Sequence, residues 1–223
     1  MQKRIIVTGS ARIGTLYLSH ILARIGVKAT HERVYNYAMD PDGSDHAAIS
    51  EAWKGKEVDV NWMAAPFLRH EPVGTIIWHQ LRDPLKVVRC FYSHKMLDDP
   101  RAFAMDLVHK VQPECWERPD DLAKAVWHVH HWNGLVEAER ERLPILTYRV
   151  EDMNPSKLRW LLQASGIDES LLRGESIEDA FAATPTNTNG CGGHKPVEWS
   201  DVIKCQCGPE LRSKARSWGY RAC

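Results

Sequence analysis

Apolar residues along the 223-residue chain fall into short runs and spaced stripes rather than an even scatter. Ile5, Ile6 and Val7 form an unbroken β-branched run, the pattern of a parallel strand covered on both faces. Thr8-Gly9 stops it, and after Gly14-Thr15 the residues Leu16, Leu18, Ile21, Leu22 and Ile25 recur at helical spacing until Gly26. Val27 to Thr30 reads as a second strand. Residues 38–61 are polar and turn-rich and read as a loop, a short helix from about Asp45 to Trp53, and another loop. Trp62 to Leu68 then leads to a third strand, Thr75 to Leu81, and is expected to pack beside the cleft. A helix opens at Pro84 with Leu85, Val88, Phe91 and Tyr92 on a mixed apolar face.

The longest helix is predicted from Pro119 to about Leu143, with Leu122, Val126, Val129, Trp132 and Val136 as its buried stripe. Pro144 to Tyr148 follows as a fourth strand. Asn154-Pro155 caps a helix through Ala164, and Ser176 to Asp179 matches a capping box. Thr184 to Pro196, rich in glycine and asparagine, cannot be a regular element; Trp199-Ser200-Asp201 starts the last helices. Strands alternating with helices predict an α/β fold, three layers α/β/α around a small parallel sheet of four or five strands. With no internal repeat and no linker, residues 1–223 read as a single domain.

The strand, glycine turn and helix over residues 5–25 carry the first chemical signal. In that geometry the free N–H groups of the turn and first helical turn converge on one spot, backed by the positive end of the helix dipole. An anion, most often a phosphate, belongs there. Gly9 and Gly14 keep the glycine spacing of a Walker A loop, but Thr15 stands where the lysine is needed and Leu16 where the magnesium-binding hydroxyl is needed. These absences argue against magnesium-dependent phosphoryl transfer. The dinucleotide pattern G-x-G-x-x-G is not met either. The basic group lies inside the loop, at Arg12.

T-G-x-x-R-x-G-T-x-x-L, residues 8–18, resembles the 5′-phosphosulfate loop of the sulfotransferases that use 3′-phosphoadenosine-5′-phosphosulfate. Arg82-Asp83-Pro84-Leu85-Lys86-Val87 resembles that family's Arg-x-Pro-x-x-Val element, also placed after a strand. Tyr148 to Met153 and the closing Gly219-Tyr220 are further echoes, so the likeness spans nearly the whole chain in islands. The resemblance implies the P-loop sulfotransferase fold and transfer of a sulfuryl group from that nucleotide, its co-substrate, to an acceptor hydroxyl of a carbohydrate or small molecule, with no metal required.

By the same resemblance Gly9, Ser10, Arg12, Gly14, Thr15 and Leu16 hold the 5′ group. Arg82, with Cys90 where the family has serine or with Ser93 nearly a helical turn on, holds the 3′-phosphate. His31-Glu32 sits at the carboxyl end of the second strand, where open parallel sheets bind ligands. The family's glutamate base points to Glu32; His31, whose ordinary pKa lies near the working pH, is the other candidate base. Arg12 takes the charge-stabilising role. Ile13, Leu16 and Cys90 depart from the family pattern, which leaves room for a non-catalytic nucleotide- or sugar-binding relative; the glycine spacing alone would suit a P-loop nucleotide-dependent kinase.

Composition sets the outer limits. The formal net charge is zero, with 29 basic and 29 acidic side chains, so bulk electrostatics favour neither nucleic acid nor an anionic membrane. The start of the chain carries no signal-peptide pattern and no apolar run reaches a membrane span, which predicts a cytoplasmic protein with no membrane partner. Oligomeric state is not legible. The six cysteines lack framework spacing and read as free thiols, as expected of a reducing compartment. Cys191, His194, Cys205 and Cys207 nevertheless offer zinc-type ligands, and His128 with His131 could join a third ligand. A solvated helix face is the simpler reading of those histidines, and the site assignment includes no metal. The family resemblance implies a lid in which Lys195 and His194 close over the cofactor phosphates; a surface connection before the last helices is the other reading of that stretch.

Overall fold

β1 (Ile5–Thr8) lies at the centre of a parallel sheet and is buried along its whole length. The computed structural model describes residues 4–35, 46–98, 103–184 and 196–223. α1 (Thr15–Arg24), β2 (Ala29–His31), α2 (His46–Ala52) and β3 (Val58–Val60) follow in order. A 3₁₀ helix over Trp62–His70 leads to β4 (Ile76–Leu81) and α3 (Pro84–Ser93). The chain continues through α4 (Phe103–Val111), α5 (Asp121–Glu137), β5 (Ile145–Arg149), α6 (Pro155–Ala164), α7 (Ile177–Ala183), α8 (Trp199–Val202) and α9 (Gly208–Ser217). The five strands are ordered β2-β3-β1-β4-β5, all pairs parallel. From β1 the chain goes first to one edge of the sheet and later, through β4, to the other. In such sheets the reversal point, outside the carboxyl ends of the strands, is where ligands bind.

Alternation along the strands sorts the core into two halves. Ile5, Val7, Ile76 and Trp78 join one cluster with Leu18, Ile21 and Leu22 of α1, Leu158, Leu161 and Leu162 of α6, and Ile177 of α7. Ile6 and Ile77 face the other cluster, with Val88 and Phe91 of α3, Val126, Val129, Trp132 and Val136 of α5, and Leu211 of α9. Successive strand residues point to opposite faces, and both faces are covered. That gives the expected three layers. Burying each such aliphatic side chain contributes roughly 1.5–3 kcal/mol, which the helices on each face supply in rows.

Several boundaries moved, each for a local reason. β2 begins at Ala29 because Val27 belongs to the end of α1: its N–H donates to Leu22 O at 3.0 Å while Gly26 N–H donates to Ala23 O at 3.1 Å, a Schellman closure. β3 replaces the expected loop near residue 59. Its three residues pair with β1 on one side and β2 on the other, too short a stretch for periodicity to reveal. α5 ends at Glu137, and residues beyond it turn rather than continue to Leu143. The predicted caps at Asn154 and Ser176 hold, and Asp83 and Asp120 cap α3 and α5 in the same way: each side chain accepts from an N–H of its helix's first turn. Among the described residues no helix is long and apolar enough to cross a membrane.

Candidate active site

The loop between β1 and α1 is held by amides from distant elements. Ser10 N–H donates to Asn133 Oδ1 of α5 at 3.3 Å, so this backbone donor of the candidate phosphate loop is already engaged. His79 Nε2 donates to the same oxygen at 3.1 Å, and Asn133 Nδ2 donates to Val129 O at 2.9 Å. Gln80 Nε2 donates to Ile13 O, and Gln80 Oε1 accepts from Tyr148 at 2.6 Å. A Cβ at Gly9 would meet Gln80 O at 2.3 Å, so glycine there is a packing requirement. Arg12 and Gly14 both take left-handed φ, 68° and 88°, which aims the chain into α1.

α1 starts without a side-chain cap and without an acidic residue in its first turn. A ten-residue helix in that state presents N–H donors and the positive dipole end. Thr15 is nearly buried there; Leu16 is exposed. Arg12 is exposed, and its Nε donates to Cys90 Sγ at 3.3 Å. Arg82, just beyond β4, donates Nη1 to Arg12 O at 2.8 Å. Two guanidinium groups therefore stand at the loop, one in it and one bracing it from the neighbouring strand.

His31 and Glu32 reach the same place. His31 Nε2 lies 3.0 Å from Thr15 Oγ1 and 3.4 Å from Glu32 Oε1. Glu32 has a left-handed φ of 50°, and its N–H donates to Val60 O at 3.1 Å. Burial first, then the Asp59 charge, raises the Glu32 pKa above its usual value, against a hydrogen bond to Thr15 that lowers it. Burial and the neighbouring His20 lower that of His31. Asp59 of β3, fully buried, organises this turn: it accepts from Thr30 Oγ1 at 2.6 Å, Asn61 Nδ2 at 3.1 Å, and Arg33 and Val34 N–H at 3.3 Å each. A carboxyl that desolvated titrates above its ordinary range, as this one does.

The remaining sequence islands also converge. Glu151 Oε1 accepts from Asp83 N–H at 3.0 Å and its Oε2 from Tyr220 at 2.8 Å. Arg149 donates to Asp152 and to Gly219 O, the latter at 2.7 Å. Thus the ends of β4 and β5 and the carboxyl-terminal Gly219-Tyr220 are tied together beside the loop. Ser93 lies at the far end of α3 from Arg82.

Three expectations change. Cys90 is disulfide-bonded, whereas Cys115, Cys205, Cys207 and Cys223 are free, so the free-thiol reading fails at the position nearest the loop. A disulfide is also uncommon in a reducing cytoplasm. His128 does not lie on a solvated face: it is fully buried against Trp62, Phe91 and Trp132, with neither ring nitrogen hydrogen-bonded among the described residues. The sheet gains β3 and with it Asp59, a site-organising residue that a polar reading of its stretch conceals. Asn133, Gln80 and His79 were likewise not foreseen; their one signal is a polar residue inside an otherwise apolar strand or helix stripe. Cys191, His194 and Lys195 lie outside the described residues.

No family model matches the chain. No curated protein matches it. Among solved structures it is similar to the crystal structure of a sulfotransferase from Alicyclobacillus acidocaldarius, with a TM-score of 0.51 and 11% identity over 98% of this chain and 91% of that one. The likeness establishes a sulfotransferase-like fold, a five-stranded parallel sheet flanked by helices.

Proposed function

We propose that the protein transfers a sulfuryl group from 3′-phosphoadenosine-5′-phosphosulfate to an acceptor hydroxyl of a carbohydrate or small molecule. The observation that carries the reading is the approach of the His31–Glu32 pair to the uncapped start of α1, with His31 Nε2 3.0 Å from Thr15 Oγ1 and 3.4 Å from Glu32 Oε1, beside the loop that carries Arg12. The donor set suits the 5′ end of that nucleotide: Arg12 and the N–H groups of Gly14, Thr15 and Leu16 are cationic or polarised donors. For the 3′-phosphate the chain offers the Arg82 guanidinium, a good bidentate donor; Ser93, the last residue of α3, stands at the opposite end of that helix and does not share the contact. Cys90, its sulfur bound in a disulfide, cannot supply a thiol proton.

The nucleotide supplies the sulfuryl group: an S–O bond to its 5′-phosphate breaks as one to the acceptor oxygen forms. Glu32 takes the acceptor proton, and its raised pKa makes it a stronger base than an ordinary carboxylate. His31 orients Glu32 and Thr15. Arg12 and the helix-start N–H groups stabilise the charge that develops on the departing phosphate. Asp59 positions the turn that carries Glu32.

The departures from the family pattern at Ile13, Leu16 and Cys90 keep a second reading in view, a relative that binds the nucleotide without transfer. Calorimetric titration with 3′-phosphoadenosine-5′-phosphate, run beside magnesium-ATP, is the first test. Saturable binding of the former is expected, weakened about 10- to 100-fold by Arg82→Ala, as loss of a charge-assisted contact implies. Sulfuryl transfer to a panel of sugars and phenols then separates the two readings. Preference for magnesium-ATP, or binding of neither nucleotide, overturns both.

A further inference from the structure

Where α5 meets the turn before α9, three potential ligands come together. One donor atom each from His130, His131 and Cys207 can be chosen so that all lie within 4.8 Å of one another. The two imidazoles come from adjacent positions of α5, their rings nearly perpendicular at 78° with centroids 4.8 Å apart. Neighbouring helix residues ordinarily diverge; the third ligand arrives from another element to lie between them. Cys207 is the residue before α9 and adopts a left-handed φ of 66°. The turn that carries it is pinned, because Gly208 packs so tightly on α8 that a Cβ there would meet Val202 O at 1.9 Å.

Two features of the ligand set point to a bound ion. His131 Nδ1 donates to Trp127 O at 3.0 Å; a carbonyl only accepts, so the proton is on Nδ1 and the Nε2 lone pair is free for coordination. Metal-binding histidines are oriented in this way by their other nitrogen. His130 Nδ1 is buried with no hydrogen-bond partner among the described residues. A buried ring nitrogen left without a partner is costly, and coordination through this nitrogen would satisfy it. Lys214, whose charge reaches both histidines, is not an unpaired cation, since its Nζ is held by Glu137 at 2.6 Å.

We infer that His130, His131 and Cys207 bind one borderline-soft divalent transition metal, of which zinc suits the two-imidazole, one-thiolate set best. Tetrahedral zinc needs donors roughly 3.3–3.7 Å apart, from its bond lengths, a closure of about 1 Å that side-chain rotation supplies. On binding, the Cys207 thiol releases its proton to solvent and the fourth position is left to water. The ion would fasten α9 to α5, two residues from the Asn133 that holds the phosphate loop. This inference is independent of the sulfotransferase reading.

The full-length protein, freed of metal with a chelator and with its disulfide kept intact, is titrated with cobalt(II). One equivalent is expected to produce a thiolate-to-cobalt charge-transfer band and intense visible bands of tetrahedral cobalt, both removed by zinc. Cys207→Ser should abolish the charge-transfer band, and His131→Ala should weaken binding more than about tenfold, the loss already typical of removing an outer hydrogen-bond partner. Cys205→Ser should leave the titration unchanged. Zinc should raise the melting temperature of the parent protein and not that of Cys207→Ser. Absence of a thiolate band in the parent protein, or its persistence in Cys207→Ser, overturns the inference. The parent titration decides the matter even if a variant fails to fold.

Discussion

The loop after β1 and the turn after β2 both deliver residues to the same site, yet they are held by different chemistry. The first is fixed by neutral groups: the amides of Asn133 and Gln80, the Tyr148 hydroxyl behind Gln80, and a glycine packed on Gln80 O. The second hangs on one buried carboxyl, Asp59, which gathers four donors from residues 30–34 and 61. A neutral scaffold keeps its geometry at any working pH. A buried acid ties the position of the candidate base, Glu32, to a proton. Under the proposed function, the half that would hold the anion is therefore constant and the half that would handle the proton is tunable.

The largest expected effect lies on the tunable side. Glu32→Gln should lower sulfuryl transfer by about 10²–10⁴-fold, measured as steady-state rate with a responsive acceptor, while nucleotide binding persists. If Glu32 is the base, the parent protein needs it ionised, so its rate should fall as pH drops through a midpoint above the ordinary glutamate value of 4.5. That acid limb should vanish in the Gln variant. A variant that keeps both rate and limb would remove Glu32 from the mechanism.

On the constant side, Gly9→Ala forces a methyl onto Gln80 O. A loss of about 3 kcal/mol is expected, a fall in melting temperature of about 6–12 °C for a chain of this size. An unchanged melting temperature would show that the loop can retreat from β4.

The smallest effects form a contrasting pair. Asp59→Asn and Gln80→Leu should each cost about 1–3 kcal/mol by leaving buried donors or acceptors unpaired. They differ in pH dependence. The Asp59 pKa is raised on folding above the ordinary 3.8, so between those two values the folded protein holds more protons than the unfolded chain, and its stability falls as pH rises. The Asn variant does not titrate. Its deficit against the parent should therefore be larger below that window than at neutral pH, whereas the Gln80→Leu deficit should be the same at both. Denaturant unfolding at two pH values reads the difference, and equal pH profiles would mean that the two halves are not held differently.

Much of the site was legible because its signals are local. The β-branched run Ile5-Ile6-Val7, the glycines at 9 and 14, the helical spacing of Leu18, Ile21 and Leu22, the helix start at Pro84 and the Asn154-Pro155 cap each act within a few residues. Hence the strand, turn and helix around Arg12 and the placing of Arg82 at a strand end followed from the order of residues alone. The tertiary structure alone decided what those elements rest on. Ser10 meets Asn133 across 123 positions, Gln80 meets Ile13 across 67, and Asp59 gathers the turn after β2 from a strand of three residues. Such contacts leave no periodicity, because a buried polar residue is chosen for one distant partner and looks locally like an interruption. The same reason hid the core burial of His128, the disulfide at Cys90, and the approach of Cys207 to His130 and His131: the chain sets which side chains exist, and the packing of α5 against α3 and α9 sets which of them meet.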